Sequence, residues 1–224
     1  MQGLRTGTLH CGASAFEITL NLMKSSIEIQ TLSEIRAIPL LGQSASSLNN
    51  EIRDCLAVDG ISVSIDQEKI TSDTHHQFSV SRAEDIMLAL VRMVHVFQSL
   101  KCEQRRETGP ILFWPHHFDL AMLWFSGRLV PDTDPEDEEH SDEQINIGFS
   151  VGDESVHEPY FYATAYPLPD TLSSVPLPNG AAWQADPWQG VILPYKHLVN
   201  EPDGATYLLE LWRAVLSAGK KLMQ

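Results

Sequence analysis

Hydrophobic and polar residues alternate along the first third of the chain, which is the pattern of half-buried β-strands. The alternation runs from Phe16 to Leu22 and resumes from Ile27 to Thr31. A third run extends from Ile35 to Leu40, where Pro39 would confine the strand to its end or to a sheet edge. These three runs predict an antiparallel meander.

Helical periodicity replaces this alternation in three places. Apolar residues spaced three or four apart predict a helix from Ala45 to Val58, and a short strand is predicted after it from Ile61 to Ile65. Ser81 and Glu84 form a capping box, which predicts the start of a second helix. Asp203 is the predicted cap of the last helix.

The second half of the chain is strand-like until that last helix. The candidate strands are Phe118 to Phe125, Ile145 to Val151, Tyr160 to Tyr166 and Gly190 to Leu193. Strands outnumber helices without a regular β-α alternation, which favours an α+β fold with a largely antiparallel sheet and about three main helices. A chain of 224 residues is within the range of one domain, so we expect a single domain over residues 1–224.

Much of the formal net charge of −15 comes from one segment. Eight acidic residues and no basic residue lie between Asp132 and Glu143. A run of like charges is typical of a solvated segment, so a flexible acidic loop is expected at 132–143. The acidic balance argues against a nucleic-acid partner, because such binding depends on lysine and arginine.

The cysteines and the lengths of the apolar segments indicate the cellular compartment of the protein. Cys11, Cys55 and Cys102 form no C-x-x-C pair and are odd in number, which favours a reducing environment. No apolar run approaches about 18 residues, and the first residues lack the apolar core of a signal peptide. We therefore expect a cytoplasmic protein with no membrane partner.

Polar and aromatic residues are densest between Trp114 and Tyr166. On the predicted strands, His117 and Asp119 share one side, and Tyr160 and Tyr162 share one face. Tyrosine combines a flat apolar body with a hydroxyl tip, which suits the wall of a ligand pocket, although a sheet face half covered by a loop would show the same pattern. The predicted ligand-binding residues are Trp114, His117, Asp119, Arg128, Tyr160 and Tyr162, with Arg128 available for an anionic group.

Some of these residues are also candidate metal ligands. His117, Asp119, Asp153 and Glu158 supply the nitrogen and oxygen atoms that suit a divalent metal such as zinc, manganese or iron. Their spacing matches no fixed metal motif. The alternative is structural, with the carboxylates satisfying backbone amides or pairing with Arg128 and with His117 as a hydrogen-bonded core histidine. Metal-free acid/base catalysis by the same residue types is a further option.

Five short motifs lie in this half of the chain. They are W-P-x-H-F-D at Trp114 to Asp119, F-S-G-R at Phe125 to Arg128, G-F-S-x-G-D at Gly148 to Asp153, H-E-P-Y-x-Y at His157 to Tyr162 and L-P-Y at Leu193 to Tyr195. Together they resemble a family of uncharacterised bacterial proteins that is defined only as a domain of unknown function. The resemblance implies a bacterial cytoplasmic protein, and the acidic loop lies outside the shared pattern.

Three functional hypotheses follow from these residues. The leading one is a small-molecule-binding protein or enzyme with a pocket lined by histidine, aspartate and tyrosine. The second is a metal-dependent hydrolase that uses His117, Asp119, Asp153 and Glu158. The third is a non-catalytic interaction module, whose mark would be an open apolar patch rather than a pocket.

Overall fold

The computed structural model describes residues 3–64, 70, 72–104, 107–137, 140–186, 188–199 and 201–223. The chain divides into two compact units, Met1–Val91 and Arg92–Gln224. The boundary falls within one long helix, Val80–Gln104.

The first unit contains an antiparallel sheet of five strands. They are β1 (Leu4–Arg5), β2 (Leu9–Cys11), β3 (Ser14–Asn21), β4 (Ser26–Thr31) and β5 (Ile35–Pro39). Strands β3, β4 and β5 form the predicted meander, and both β1 and β2 pair with β3. Strand β5 is an edge of this sheet, which is where Pro39 can be accommodated.

Helix α1 (Ala45–Val58) has the predicted bounds, and Ser44 caps it by accepting a hydrogen bond from the Ser47 amide at 3.1 Å. The hydrophobic core of this unit gathers apolar residues from the sheet and from α1. Its buried members are Phe16, Ile27, Ile29, Ile38, Leu56 and Ile61.

The strand predicted from Ile61 to Ile65 is wrong over residues 61–64, which form no strand, and Ile65 lies outside the described residues. The end of α1 explains the difference. Gly60 has a φ of +71°, and the Ile61 amide donates to the Leu56 carbonyl at 3.1 Å. This is the Schellman arrangement, in which a hydrophobic residue after the glycine folds back onto the helix. Ile61 therefore enters the core as the helix terminator.

Helix α2 (Val80–Gln104) begins before the predicted cap, because Ser81 is already helical. The Ser79 hydroxyl accepts from the Arg82 amide at 3.4 Å, and the Ser79 carbonyl accepts from the Ala83 amide at 3.0 Å. Ser79 therefore holds the cap position. The sequence placed the cap two residues late because Ser81 happens to precede a glutamate at capping-box spacing.

This assignment predicts that Ser79→Ala destabilises the protein, while Ser81→Ala has a much smaller effect. Loss of an N-cap costs about 1 kcal/mol, because a helix amide then lacks its acceptor. The free energy of unfolding from urea titration would separate the two variants. A larger loss in Ser81→Ala would instead support the capping box.

The second unit contains an antiparallel sheet of six strands. They are β6 (Leu112–Trp114), β7 (Asp119–Leu129), β8 (Asp142–Ser150), β9 (Tyr160–Tyr166), β10 (Ala182–Gln184) and β11 (Gly190–Pro194). The spatial order is β10, β11, β9, β8, β7 and β6. The predicted acidic loop is shorter than 132–143 in the structure, because Asp142 and Glu143 already belong to β8.

Two helices and a 3-10 turn complete this unit. They are α3 (Tyr195–Val199), α4 (Gly204–Leu222) and the turn Leu172–Ser174. Asp203 caps α4 as predicted, since its carboxylate accepts from the Thr206 amide at 3.1 Å. Helix α4 packs on β8 and β9, where the Trp212 ring lies 6.1 Å from that of Phe161.

The α+β class is confirmed, with antiparallel sheets and three main helices, α1, α2 and α4. Within the described residues, no helix is long and apolar enough to cross a membrane.

Candidate ligand-binding cleft

Strict alternation along the central strands of the second sheet separates its two faces. On β8, Ile145, Ile147 and Phe149 are buried on the face covered by α4. The intervening Asn146 and Gly148 belong to the opposite face. On β9, Phe161 is likewise buried and contacts Trp212 of α4. The second face therefore carries polar and aromatic side chains from β7, β8 and β9, and this is the face that bears the cleft.

A tight turn carries two histidines to this face. Strands β6 and β7 form a hairpin whose turn covers residues 115–118, and Phe118 adopts a φ of +53° there. A left-handed conformation is unusual for an aromatic residue. The rings of His116 and His117 lie 4.4 Å apart on this turn. The sequence predicted a strand beginning at Phe118 with His117 at its mouth, but β7 begins at Asp119, so His117 is a turn residue.

One hydrogen bond spans three strands of the sheet. The Tyr162 hydroxyl on β9 donates to Oδ2 of Asp119 on β7. Between them lies Gly148 on β8, which is paired with Tyr162 in the strand register. A Cβ atom on Gly148 would lie 2.1 Å from the Tyr162 ring, so the ring can cross the sheet only above a glycine. The glycine thus positions the tyrosine on the aspartate.

Burial dominates the electrostatics of Asp119. The residue is 5% exposed, and this desolvation raises the pKa of its carboxyl group, against the hydrogen bond from Tyr162 and the neighbouring His117 and His116. Its second oxygen, Oδ1, is buried and has no hydrogen-bond partner among the described residues. Burial and the charge of Asp119 also raise the pKa of the Tyr162 hydroxyl far above its ordinary value.

The carboxylate of Asp153 lies in the same cavity as Asp119, and both of its oxygens accept hydrogen bonds. Asp153 Oδ2 accepts from the Tyr160 hydroxyl at 2.5 Å, and Oδ1 accepts from the amides of Ser155 and Val156 at 2.7 and 2.8 Å. Burial alone would raise the pKa of Asp153, but these hydrogen bonds outweigh it and the pKa is lowered. The sheet face therefore presents one ionised, satisfied carboxylate and one buried, half-satisfied carboxyl group.

An aromatic pair stands over the end of this face. The Tyr160 and Trp188 rings are stacked at an interplanar angle of 23°, with centroids 6.2 Å apart. The Trp188 and Tyr162 rings are also in a T-shaped arrangement, with centroids 6.3 Å apart. At the other end Trp114, which is 36% exposed, lies 5.8 Å from the His116 ring. Both ends of the face therefore offer flat apolar surfaces.

Two cavities of about 640 and 610 Å³ occupy this face and share part of their walls. The shared residues are His116, His117, Asp119, Asn146, Tyr162 and Thr164. We call the combined space the cleft. Of the residues predicted for a ligand site, Trp114, His117, Asp119, Tyr160 and Tyr162 line it.

Arg128 is not brought to the cleft. It lies at the far end of β7, where its guanidinium group donates to both carboxylate oxygens of Glu143, the shortest contact being 2.8 Å. Among the residues that the structure describes, neither cavity is lined by a lysine or an arginine. The anion-binding role expected for Arg128 therefore has no counterpart in the lining of the cleft.

The predicted metal set is not assembled. His117, Asp119 and Asp153 line one cavity, but Glu158 is largely exposed and pairs with Lys196 at 2.7 Å. Across the described part of the chain, no three histidine, cysteine, aspartate or glutamate side chains are grouped so that they could hold a metal ion. The four residues were grouped because their types suit a metal. Residue type does not determine whether the side chains come together in the fold.

Several lining residues were missed by the sequence analysis. His116, Asn146 and Trp188 all line the cleft. The strand alternation could have identified Asn146, since it lies on the same face of β8 as Gly148. Nothing in the sequence pattern places Trp188, which reaches the cleft from the connection between β10 and β11.

The fold and the site together define an α+β protein with an acidic, aromatic cleft on the face of an antiparallel sheet opposite helix α4. The chain belongs to a family of unknown function, DUF5996, whose model matches residues 1–224. Comparison with curated proteins gave no match, and comparison with solved structures gave none either.

The Tyr162 crossing predicts that Gly148→Ala destabilises the protein by about 1–3 kcal/mol, the usual cost of overpacking. The added methyl group would displace the Tyr162 ring and break its hydrogen bond with Asp119. Urea denaturation would measure the loss, with Gly7→Ala as the control, because a Cβ atom there meets nothing within 4 Å. The cost should shrink when Tyr162→Ala is already present, and full additivity of the two changes would contradict the crossing.

The raised pKa of Asp119 predicts a pH dependence of stability. The folded state binds this proton more tightly than the unfolded chain, so the carboxyl group favours folding below its ordinary pKa of about 4. This contribution is lost as the pH rises through the raised value. Asp119→Asn should therefore gain stability relative to wild type as the pH rises, measured by urea denaturation at each pH.

Asp153→Asn is the matched control for this experiment. Because the pKa of Asp153 is lowered in the folded protein, the wild-type carboxylate stabilises at neutral pH and loses that effect as the pH falls. This variant should lose stability relative to wild type as the pH rises. Slopes of the same sign in the two variants would contradict the assignment.

Proposed function

We propose that the cleft binds a small organic molecule and that Asp119 anchors it. The observation that carries this proposal is the unpartnered Oδ1 atom of Asp119, which is buried in the wall of the cleft. An unsatisfied buried acceptor costs folding free energy, so such atoms are rare unless a ligand or a water completes them. A hydrogen-bond donor on a bound molecule would complete this one.

The size and lining of the cleft support a small ligand. Cavities of about 640 and 610 Å³ are within the range of roughly 300–1,000 Å³ that is usual for small-molecule sites. Aromatic walls at Trp114, Tyr160 and Trp188 flank a few convergent polar groups. A concave site of this kind favours a small ligand over the docking surface for another protein or for a nucleic acid.

The same carboxyl group is suited to proton transfer. A raised pKa makes Asp119 a stronger base than an ordinary carboxylate, and Tyr162 fixes its orientation. An enzymatic role as a general base for the bound molecule is therefore the second candidate. It uses the same site and the same anchor.

We also propose a bacterial cytoplasmic setting. Cys11, Cys55 and Cys102 are all free thiols, as a reducing compartment would maintain. The bacterial assignment is supported by the five motifs that resemble those of a family of uncharacterised bacterial proteins.

Ligand-observed NMR with a library of water-soluble fragments of mixed charge tests the proposal. Fragments that bind the wild type should lose their saturation-transfer signal with Asp119→Ala, because the anchoring acceptor is gone. Arg128→Ala should keep the signal, since Arg128 pairs with Glu143 away from the cleft.

Asp119→Asn serves as a second variant in case the alanine variant does not fold. It keeps an acceptor for Tyr162 but weakens the anchor, so binding should fall without being abolished. Equal fragment binding by the wild type and both Asp119 variants would overturn the proposal. So would equal loss in Arg128→Ala.

A further inference from the structure

The buried, unpartnered side-chain atoms in the described part of the cleft are both hydrogen-bond acceptors. Asp119 Oδ1 and Asn146 Oδ1 are both buried acceptors without a hydrogen-bond partner among the described residues. Both side chains line both cavities, and the Tyr162 hydroxyl interacts with each of them. A single ligand group that completed both atoms would have to donate more than one hydrogen bond.

The charge of the cleft restricts this donor further. The described lining includes Asp119, Asp137, Asp153 and Glu154 and no lysine or arginine. An anion would meet repulsion from these carboxylates, and only the histidines His116 and His117 in the described lining could offset it. An ammonium group has three donors and no acceptor, and an amidinium group likewise only donates, so either matches both the acceptors and the charge.

The aromatic pair indicates the chemistry of the rest of the ligand. Tyr160 and Trp188 are stacked beside Asp153, and Trp188 lines the same cavity as Asp119. A flat ring gains from packing on such a surface, and an aromatic wall also attracts a nearby cation through its π electrons.

We propose that the ligand of the cleft is an organic cation, in which an ammonium or amidinium group binds Asp119 and Asn146 and a flat ring packs against Trp188. This inference rests on the proposed function, because it names the class of ligand for the same site. The carboxylates of Asp153 and Glu154 contribute long-range attraction, while Asp119 provides the direct ion pair.

Three indole probes that share a two-carbon linker and carry end groups of different charge test this inference. Tryptamine carries an ammonium group, tryptophol a hydroxyl and indole-3-propionate a carboxylate. Isothermal titration calorimetry at neutral pH should give tryptamine an affinity about tenfold or more above that of indole-3-propionate, because one close charge pair is worth at least that factor. Tryptophol should lie between them, and added salt should weaken tryptamine alone.

Variants identify the carboxylate responsible. Asp119→Asn removes the charge and keeps an acceptor, so it should weaken tryptamine and leave tryptophol nearly unchanged. Glu154→Gln should weaken tryptamine to a smaller extent. Glu210→Gln on α4 is the matched control, because it changes the net charge equally from an exposed position outside the lining and should change neither affinity.

Equal affinity for the three probes, a preference for indole-3-propionate, or no binding of tryptamine would overturn the inference. These outcomes are distinguishable from failure of the proposed function. If tryptophol or other neutral fragments bind the wild type and lose binding with Asp119→Ala, the cleft remains a ligand site and only the cationic class is wrong. If no fragment depends on Asp119, both proposals fail.

Discussion

The hydrogen bond from Tyr162 to Asp119 is the constraint on which the cleft depends. It joins β9 to β7 across the intervening strand, and it exists only because β8 has no side chain at Gly148. Removing Asp119 from water is unfavourable for its charged form, and the tyrosine offsets part of that cost. The rest of the cost is left at Oδ1, the atom that the proposed ligand would complete.

The two carboxylates illustrate how environment separates identical groups. Asp153 is stabilised as an anion by a tyrosine and two backbone amides, whereas Asp119 has one tyrosine and much deeper burial. The sheet therefore holds a permanent negative charge next to a group that is easier to protonate. A bound molecule would meet both within one cleft, and this difference in protonation gives the site its chemical character.

Much of the fold could be predicted from the sequence, because it depends on local periodicity. The alternation in β3 and β9 and the apolar spacing in α1 reflect burial on one side, which is a property of neighbouring residues. The predicted start of α2 and the predicted strand at Ile61 were wrong, because each depends on the geometry of one helix end. Ser79 and Ser81 are both cap-forming residues, and only the folded chain selects one.

The site was predictable in part for the same reason. Strand alternation brought Tyr160 and Tyr162 to one face, but the placement of Glu158, Arg128 and Trp188 depends on loops and strand ends whose direction no periodicity encodes. Glu158 and Arg128 found partners of opposite charge outside the cleft, in Lys196 and Glu143. The residue types indicated which chemical groups were available. The topology of the fold determined which of those groups came together in the cleft.

Strand β8 supplies the core on one face and the cleft on the other, in strict alternation. A single-residue insertion or deletion within it would exchange the two faces, sending Asn146 toward α4 and an isoleucine toward the ligand. The acidic segment that precedes it carries no such alternation. Variation in chain length among members of the family is therefore expected to collect before β8 and to be excluded from the strand itself.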